Sequence, residues 1–458
     1  MNTKKISFFS LVLLIVAAID SIRNLPAAAL FGSSLIFFFV FSAIVFLIPT
    51  SFVAAQFTSS FHGKAKGGVY QWVNAAFGEK WALFAIWLQW INTMVWYPTI
   101  LSFIAGTAAY LVLPELAQNK TYLAIFNLVV FWFLTLINLR GLHFSARINS
   151  FCVILGTLLP MAFLICLGIY WFFSGQPIHI DFSAGQILPT PSHATNWISL
   201  IAIMASFLGM ELAGVHVGDI ENPSKNFPKA VLYAVLIIIV TELLGSLTIA
   251  SVLPNSEIRL VDGIMQVFTS FFHAFHLEWL IPVLTILIVV GSTGGMTNWL
   301  LAPAKGLLHA AEFGYLPPFF CKLNRHGVAA RLLLSQAILV SVFCIAIAFL
   351  PTINSYYWLL TDLSTELYMI MYIVMFFAAL QYHKKNQNFM LPGGIWGLRT
   401  LCCLGLLGCL LTIIVGFFPP TEISIGTPLR YAMLILFGNL IMIAPVFLFL
   451  YYKKKRHA

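Results

Sequence analysis

Six ionisable side chains stand in stretches of this chain that otherwise read Leu, Ile, Phe and Val: Asp20 and Arg23, Glu211, Glu242, and Asp362 with Glu366. A charge at the centre of a bilayer costs about 2.5–3.5 kcal/mol on insertion scales, so each calls for a partner or a task. Asp20 and Arg23 are three apart. That spacing fits either an internal ion pair on one helical face or a direct role in binding a ligand. Asp362 and Glu366 are one helical turn apart and share a face. In a helix that starts near Ser355, Glu366 lies about 16 Å deep, close to the midplane. Two carboxyl groups in so low a dielectric suit proton coupling, and satisfaction by neighbouring hydroxyls is the alternative. On the proton-coupling reading, Glu366→Gln abolishes any pH dependence. Glu211 reads as a structural or gating hydrogen-bond acceptor, and His216 just beyond it as a pH sensor. Glu242 has no partner visible in the sequence.

The composition explains why these positions are at membrane depth. Of 458 residues, 60% are hydrophobic and 9% charged, with a mean hydropathy of +0.95. Soluble domains run about 45–50% apolar and about 25% charged. A cytosolic enzyme, a secreted disulfide scaffold and a disordered regulator are thereby excluded. Twelve stretches reach the roughly 20 residues a spanning helix needs. They lie near 7–31, 34–57, 81–112, 122–140, 149–174, 196–218, 229–253, 279–311, 332–350, 355–382, 399–418 and 429–452. With the N-terminus inside, all but four of the 24 Lys and Arg fall in inside segments. The exceptions are Lys120, Arg259 and Arg430 outside and Arg23 within the first span. This bias places both termini in the cytoplasm of a multi-pass inner-membrane protein. The formal charge of +9 is therefore topological and not a nucleic-acid footprint. The seven Cys lack metal-ligand spacing and read as free thiols, so neither a metal nor a cofactor is expected.

Two spans are interrupted. The first carries Asp20, Ser21, Arg23 and Pro26, and the sixth carries Ser206-Phe207-Leu208-Gly209-Met210-Glu211 with Gly214 and Gly218 beyond. Broken helices at this depth are tolerated where protein packs them or a cavity lies beside them. They hold equivalent places if helices 1–5 and 6–10 are two halves. Five crossings per half invert the second relative to the first, with a binding site between the breaks. Exposed amides at a half-helix start accept a carboxylate and freed carbonyls accept an amine, which suits an amino acid. The expected organisation is a single all-α transmembrane domain: 1–174 and 196–382 as the repeats, 399–452 as an added pair of helices, and 453–458 as a basic tail.

Three motifs carry a family resemblance. Gly67-Gly68-Val69-Tyr70-Gln71-Trp72 with Gly78 resembles the GG-x-Y-x-W loop of the amino acid–polyamine–organocation superfamily. Phe207-Leu208-Gly209-Met210-Glu211, followed by Glu221-Asn222-Pro223-Ser224-Lys225-Asn226-Phe227-Pro228, resembles its sixth helix and the loop after it. Pro303-Ala304-Lys305-Gly306 with Leu316-Pro317-Pro318 resembles the end of its eighth helix. His216-Val217 and Asp362-Leu363-Ser364-Thr365 look most like the glutamate–GABA antiporter branch. The resemblance covers essentially the whole chain. It implies the leucine-transporter fold, ten core helices plus two, moving amino acids by alternating access. It also implies a substrate carboxylate at the backbone of Ile19, Asp20, Ser21 and Ile22. The amine would meet carbonyls near Ser206, Phe207 and Gly209, with Phe207 as a lid. Thr93, Gly295 and Met296 would set selectivity.

The chain departs from that pattern in Ile19-Asp20-Ser21, where the superfamily has Gly-Ser-Gly. It departs again in Gly294-Gly295, where the antiporters carry an acidic residue, and in ending at Lys453–Ala458 without a long tail. The last two departures argue against acid-gated glutamate–GABA exchange, and Asp20 and Arg23, neutralising each other, point to a neutral or polar amino acid. Helix 5 has no Lys to serve a lysine-based proton coupling, no nucleotide-binding motif is present, and no nucleophile sits with a matched base as an enzyme requires. The expected function is an amino-acid exchanger, with a proton-coupled symporter or a non-transporting sensor as alternatives. Oligomeric state is open, a homodimer included.

Overall fold

The computed structural model describes residues 7–61, 68–140, 154–188, 196–212, 223–387, 393–421 and 426–457, with the single positions 152, 389, 391 and 423. His62, Gly67, His143, Gly214, His216, Gly218 and the pair Glu221–Asn222 lie outside them. Among the described residues the chain is helical and has no β-strand.

The first helix, α1 (Phe8–Ile19), starts where the Ser7 side chain accepts from the Ser10 amide. It stops at Asp20 and Ser21, both extended, and the chain re-enters through a 3-10 turn Ile22–Asn24 and a short helix Leu25–Ala29. Pro26 in the first turn of that short helix explains the restart, since it has no N–H to give to the preceding turn. Then follow α2 (Gly32–Ser60), α3 (Glu79–Ala109), α4 (Lys120–Leu139) and α5 (Ile154–Phe173). The sixth, α6 (Asn196–Leu212), is broken at Phe207–Gly209. Gly209 has φ +110, a conformation open to glycine and strained for other residues, so the break is written into this position. The later long helices are α7 (Pro223–Val252), α8 (Leu280–Glu312), α9 (Ala330–Phe349), α10 (Ile353–Lys385), α11 (Gly394–Gly416) and α12 (Pro428–Lys455), and shorter helices such as Val69–Phe77 and Gly263–Phe275 lie between the long ones. Each of the twelve stretches read from the sequence coincides with a helix. Eight of the helices among the described residues are long and apolar enough to cross a membrane.

The packing repeats itself when five is added to a helix number. α1 lies against α7, and its counterpart α6 lies against α2. α3 packs on α10 as α8 packs on α5, and α5 on α7 as α10 on α2. The pairs α3–α8, α4–α9 and α2–α7 map onto themselves. Two five-helix halves of one design, the second inverted, produce this pattern. α3 and α10 form the centre and are buried over most of their length, while α11 and α12 pack outside on α10. Val129, Leu236, Ile338, Leu410 and Ile441 point outward from α4, α7, α9, α11 and α12, giving a lipid-compatible apolar belt.

Candidate functional site

A cavity of about 760 Å³, counting its open mouth, lies where the breaks in α1 and α6 meet α3, α5, α8 and α10. From α1 it is lined by Ile19, Asp20, Ser21, Arg23 and Asn24. α3 presents Asn92, Trp96 and Ile100, a single face at four-residue spacing, and α8 presents Gly291, Ser292, Gly295 and Trp299 in the same way. Thr157 of α5, Ala205 and Leu208 of α6, and Tyr368 of α10 complete the wall. Trp96 and Trp299 pack with ring centroids 5.1 Å apart and form its broadest apolar surface.

Two polar clusters flank this cavity along α3 and α10. At one end the Arg23 guanidinium donates to Thr99 Oγ1 at 2.7 Å and to Tyr357 Oη at 3.4 Å, and sits 4.9 Å over the Trp96 ring. The Tyr357 hydroxyl in turn donates to the Arg23 carbonyl at 3.3 Å. At the other end Glu211 Oε1 accepts from Gln89 Nε2 at 3.0 Å and from the Tyr368 hydroxyl at 2.5 Å, while its Oε2 accepts from the Tyr372 hydroxyl. The Gly209 amide donates to Tyr372 Oη at 3.1 Å, tying the break in α6 to the same cluster. Gln89 and Thr99 are ten residues apart on α3, about 15 Å, and Tyr357 and Tyr368 are eleven apart on α10, about 16 Å. The cavity residues Asn92 and Trp96 lie between the two clusters.

Several expectations are corrected by this geometry. Thr93 faces away from the cavity, buried and donating to the Trp90 carbonyl at 2.6 Å, because it stands about 100° round the helix from Asn92. The same rotation buries Met296 beside Gly295. Phe207 is no lid. Its ring packs edge-on against Phe39 at 5.8 Å, and Leu208 and Ala205 reach the cavity instead. Ser206 is spent on the Ile203 carbonyl at 2.9 Å, and neither Gly209 nor Ile22 lines the wall. The Asp20 amide donates to the Val16 carbonyl and the Ser21 amide to Glu242 Oε1, so neither is free for a carboxylate. The 3-10 turn starting at Ile22 leaves the amides of Ile22 and Arg23 as the unpaired ones. Asp20 and Arg23 form no ion pair, because Arg23 is turned to α3 and α10 while Asp20 faces α7, where Thr241 Oγ1 donates to its Oδ2 at 2.8 Å. His216 lies outside the described residues. Asn24, Asn92, Thr157, Trp299 and Tyr368 were not singled out from the sequence.

Asp362 and Glu366 are buried but do not line the cavity. The Tyr431 hydroxyl donates to Asp362 Oδ2 and the Asn439 amide to Glu366 Oε2, both from α12. Their other oxygens converge on Gly416 at the end of α11, where a Cβ would collide with both.

A central cavity flanked by broken helices, inside two inverted halves, is the architecture of an alternating-access carrier, and known proteins agree. The model of the family described as amino acid permease matches residues 6–439. The chain belongs to that family. An uncharacterized transporter of Legionella pneumophila is 37% identical over 98% of this chain and 97% of its own length. A glutamate/gamma-aminobutyrate antiporter of Lactococcus lactis is 28% identical over 100% of this chain and 92% of its own. A probable agmatine/putrescine antiporter of the same species is 23% identical over 86% of this chain and 83% of its own. The crystal structure of MhsT in complex with L-phenylalanine superposes with a TM-score of 0.61 at 12% identity, covering 91% of this chain and 99% of that one, and shows the shared fold. This permease is thus a multi-pass membrane transporter of amino acids and not an enzyme.

Proposed function

We propose that this permease is a secondary exchanger of amino acids in the inner membrane, with both termini in the cytoplasm and twelve crossings. The observation that carries the reading is one cavity at two helix breaks with a separate polar cluster on each side. Releasing Arg23 from Thr99 and Tyr357 opens one end, and releasing Glu211 from Gln89, Tyr368 and Tyr372 opens the other. Two of the relatives above are antiporters by name.

Substrate binding follows from the wall. The carboxylate meets the Arg23 amide and the Arg23 charge, and the amine meets Asp20 and the freed carbonyls of α6. A cavity with one residue of each sign, Asp20 and Arg23, suits a zwitterion of no net charge, and Trp96, Trp299 and Gly295 receive its side chain. Glu211, which already accepts three hydrogen bonds, is a gate residue and not a proton relay. The twin acids on α10 bind α12 to the core.

Counterflow in proteoliposomes tests the proposal. Uptake of labelled amino acid into vesicles loaded with unlabelled amino acid, and not into empty ones, is the expected result. Uptake into empty vesicles driven by an inward proton gradient makes the protein a symporter. Binding without uptake makes it a sensor.

A further inference from the structure

α1 and α7 meet through two acids to which the transport reading gives no joint task. Asp20 is 4% exposed at the break and Glu242 is fully buried. The two carboxyl groups are held beside each other, because each bonds to the chain neighbour of the other. Each has one oxygen supplied with a donor: Thr241 Oγ1 for Asp20 Oδ2 at 2.8 Å, and the Ser21 amide for Glu242 Oε1 at 3.3 Å. Each also has one buried oxygen, Asp20 Oδ1 and Glu242 Oε2, that no donor of the protein reaches. The cation facing the pair is Arg23, yet its guanidinium is engaged by Thr99, Tyr357 and Trp96 and bridges to neither acid. Two buried carboxyl groups held beside each other, with an empty acceptor on each, are satisfied by a hydrogen held between them.

From these contacts we infer that Asp20 and Glu242 hold one exchangeable proton in the cavity wall, and that this proton moves with the transport cycle. The inference rests on the transport reading. Asp20 lines the cavity, so the proton exchanges with whichever side the cavity faces. With it, Asp20, Glu242 and Arg23 sum to no net charge and match a zwitterion. Its loss sets two negative charges side by side across the α1–α7 contact, and their repulsion loosens the broken helix from α7.

The test uses the full chain in proteoliposomes enclosing a pH-sensitive dye, with uptake of labelled amino acids followed at about pH 5.5 and about pH 7.5. In the wild type the uptake rate changes at least about fivefold between the two, and the dye responds only when amino acid is added. Glu242→Gln supplies the hydrogen permanently; it flattens the pH response to less than about twofold and removes the dye response. Asp20→Asn also removes the dye response. An infrared difference spectrum of the wild type in detergent, taken between the same pH values, shows a carboxylic-acid C=O band that Glu242→Gln loses, a readout independent of transport. Fluorescence of Trp96 and Trp299 on adding amino acid identifies variants that are folded and bind. Wild-type uptake without a proton signal overturns the inference and leaves the transport reading standing, as does an unaltered pH response in a folded Glu242→Gln. If the wild type takes up no amino acid, the transport reading falls, and the infrared band alone decides whether the pair holds its proton.

Discussion

Two pairs of buried acids, Asp20 with Glu242 and Asp362 with Glu366, have almost the same local chemistry and opposite surroundings. In both, each carboxyl has one oxygen with a donor and one without. The first pair is assembled from α1 and α7, beside a backbone break and on the cavity wall. The second sits on a single unbroken helix, α10, wedged against Gly416 of α11 and held by Tyr431 and Asn439 of α12. Neither of its acids lines the cavity. Buried acids are thus not equivalent indicators of proton coupling. What separates them is whether the groups around them belong to parts that move relative to each other.

Substitutions sharpen this contrast. The largest effect is expected at the cavity end, where Arg23→Ala deletes buried charge-assisted hydrogen bonds worth about 3 kcal/mol, roughly a hundredfold loss of counterflow. Retention of wild-type counterflow would remove the Arg23 closure from the mechanism. In the outer bracket, Gly416→Val drives a side chain into both α10 acids. It should lower stability by about 1–3 kcal/mol, seen as a lower melting temperature in detergent. Asn439→Leu strips a buried carboxyl oxygen of its donor and costs about 1–3 kcal/mol by the same measurement, while the exchange rate per folded molecule holds. Glu366→Gln should then leave the pH response of exchange within about twofold of wild type, the reverse of what its depth in the sequence suggests. A flat pH response in Glu366→Gln would show the bracket to be the proton site after all. The smallest effect belongs to Thr93→Val, which keeps the amino-acid preference within about twofold, whereas Asn92→Leu alters it by about tenfold through a lost hydrogen-bonding group on the wall.

The places where the sequence speaks clearly are those where backbone chemistry is local. Asp20, Ser21 and Pro26 interrupt α1 and Gly209 interrupts α6 through their own conformational limits, so the breaks and the half-repeats follow from neighbours in the chain. Asp20, Ser21, Arg23 and Gly295 line the cavity wall. The rotation of each helix about its axis is a different matter. α3 is buried on nearly every side, so no polar stripe marks which face meets the cavity, and Asn92 rather than Thr93 is decided by packing alone. Glu242 is the extreme case. Its partners stand 221 residues away, and only the inverted pairing of α1 with α7 brings them together.

The roughly 15 Å between Gln89 and Thr99 also sets a limit on cargo. Both closures have a member on α3, which runs as one helix through the interval. A molecule longer than that interval would wedge one door while passing the other and short-circuit the membrane. An extended tetrapeptide already measures about 14 Å. On the two-closure reading the interval caps the cargo at about four extended residues, so a single amino acid fits with room to spare.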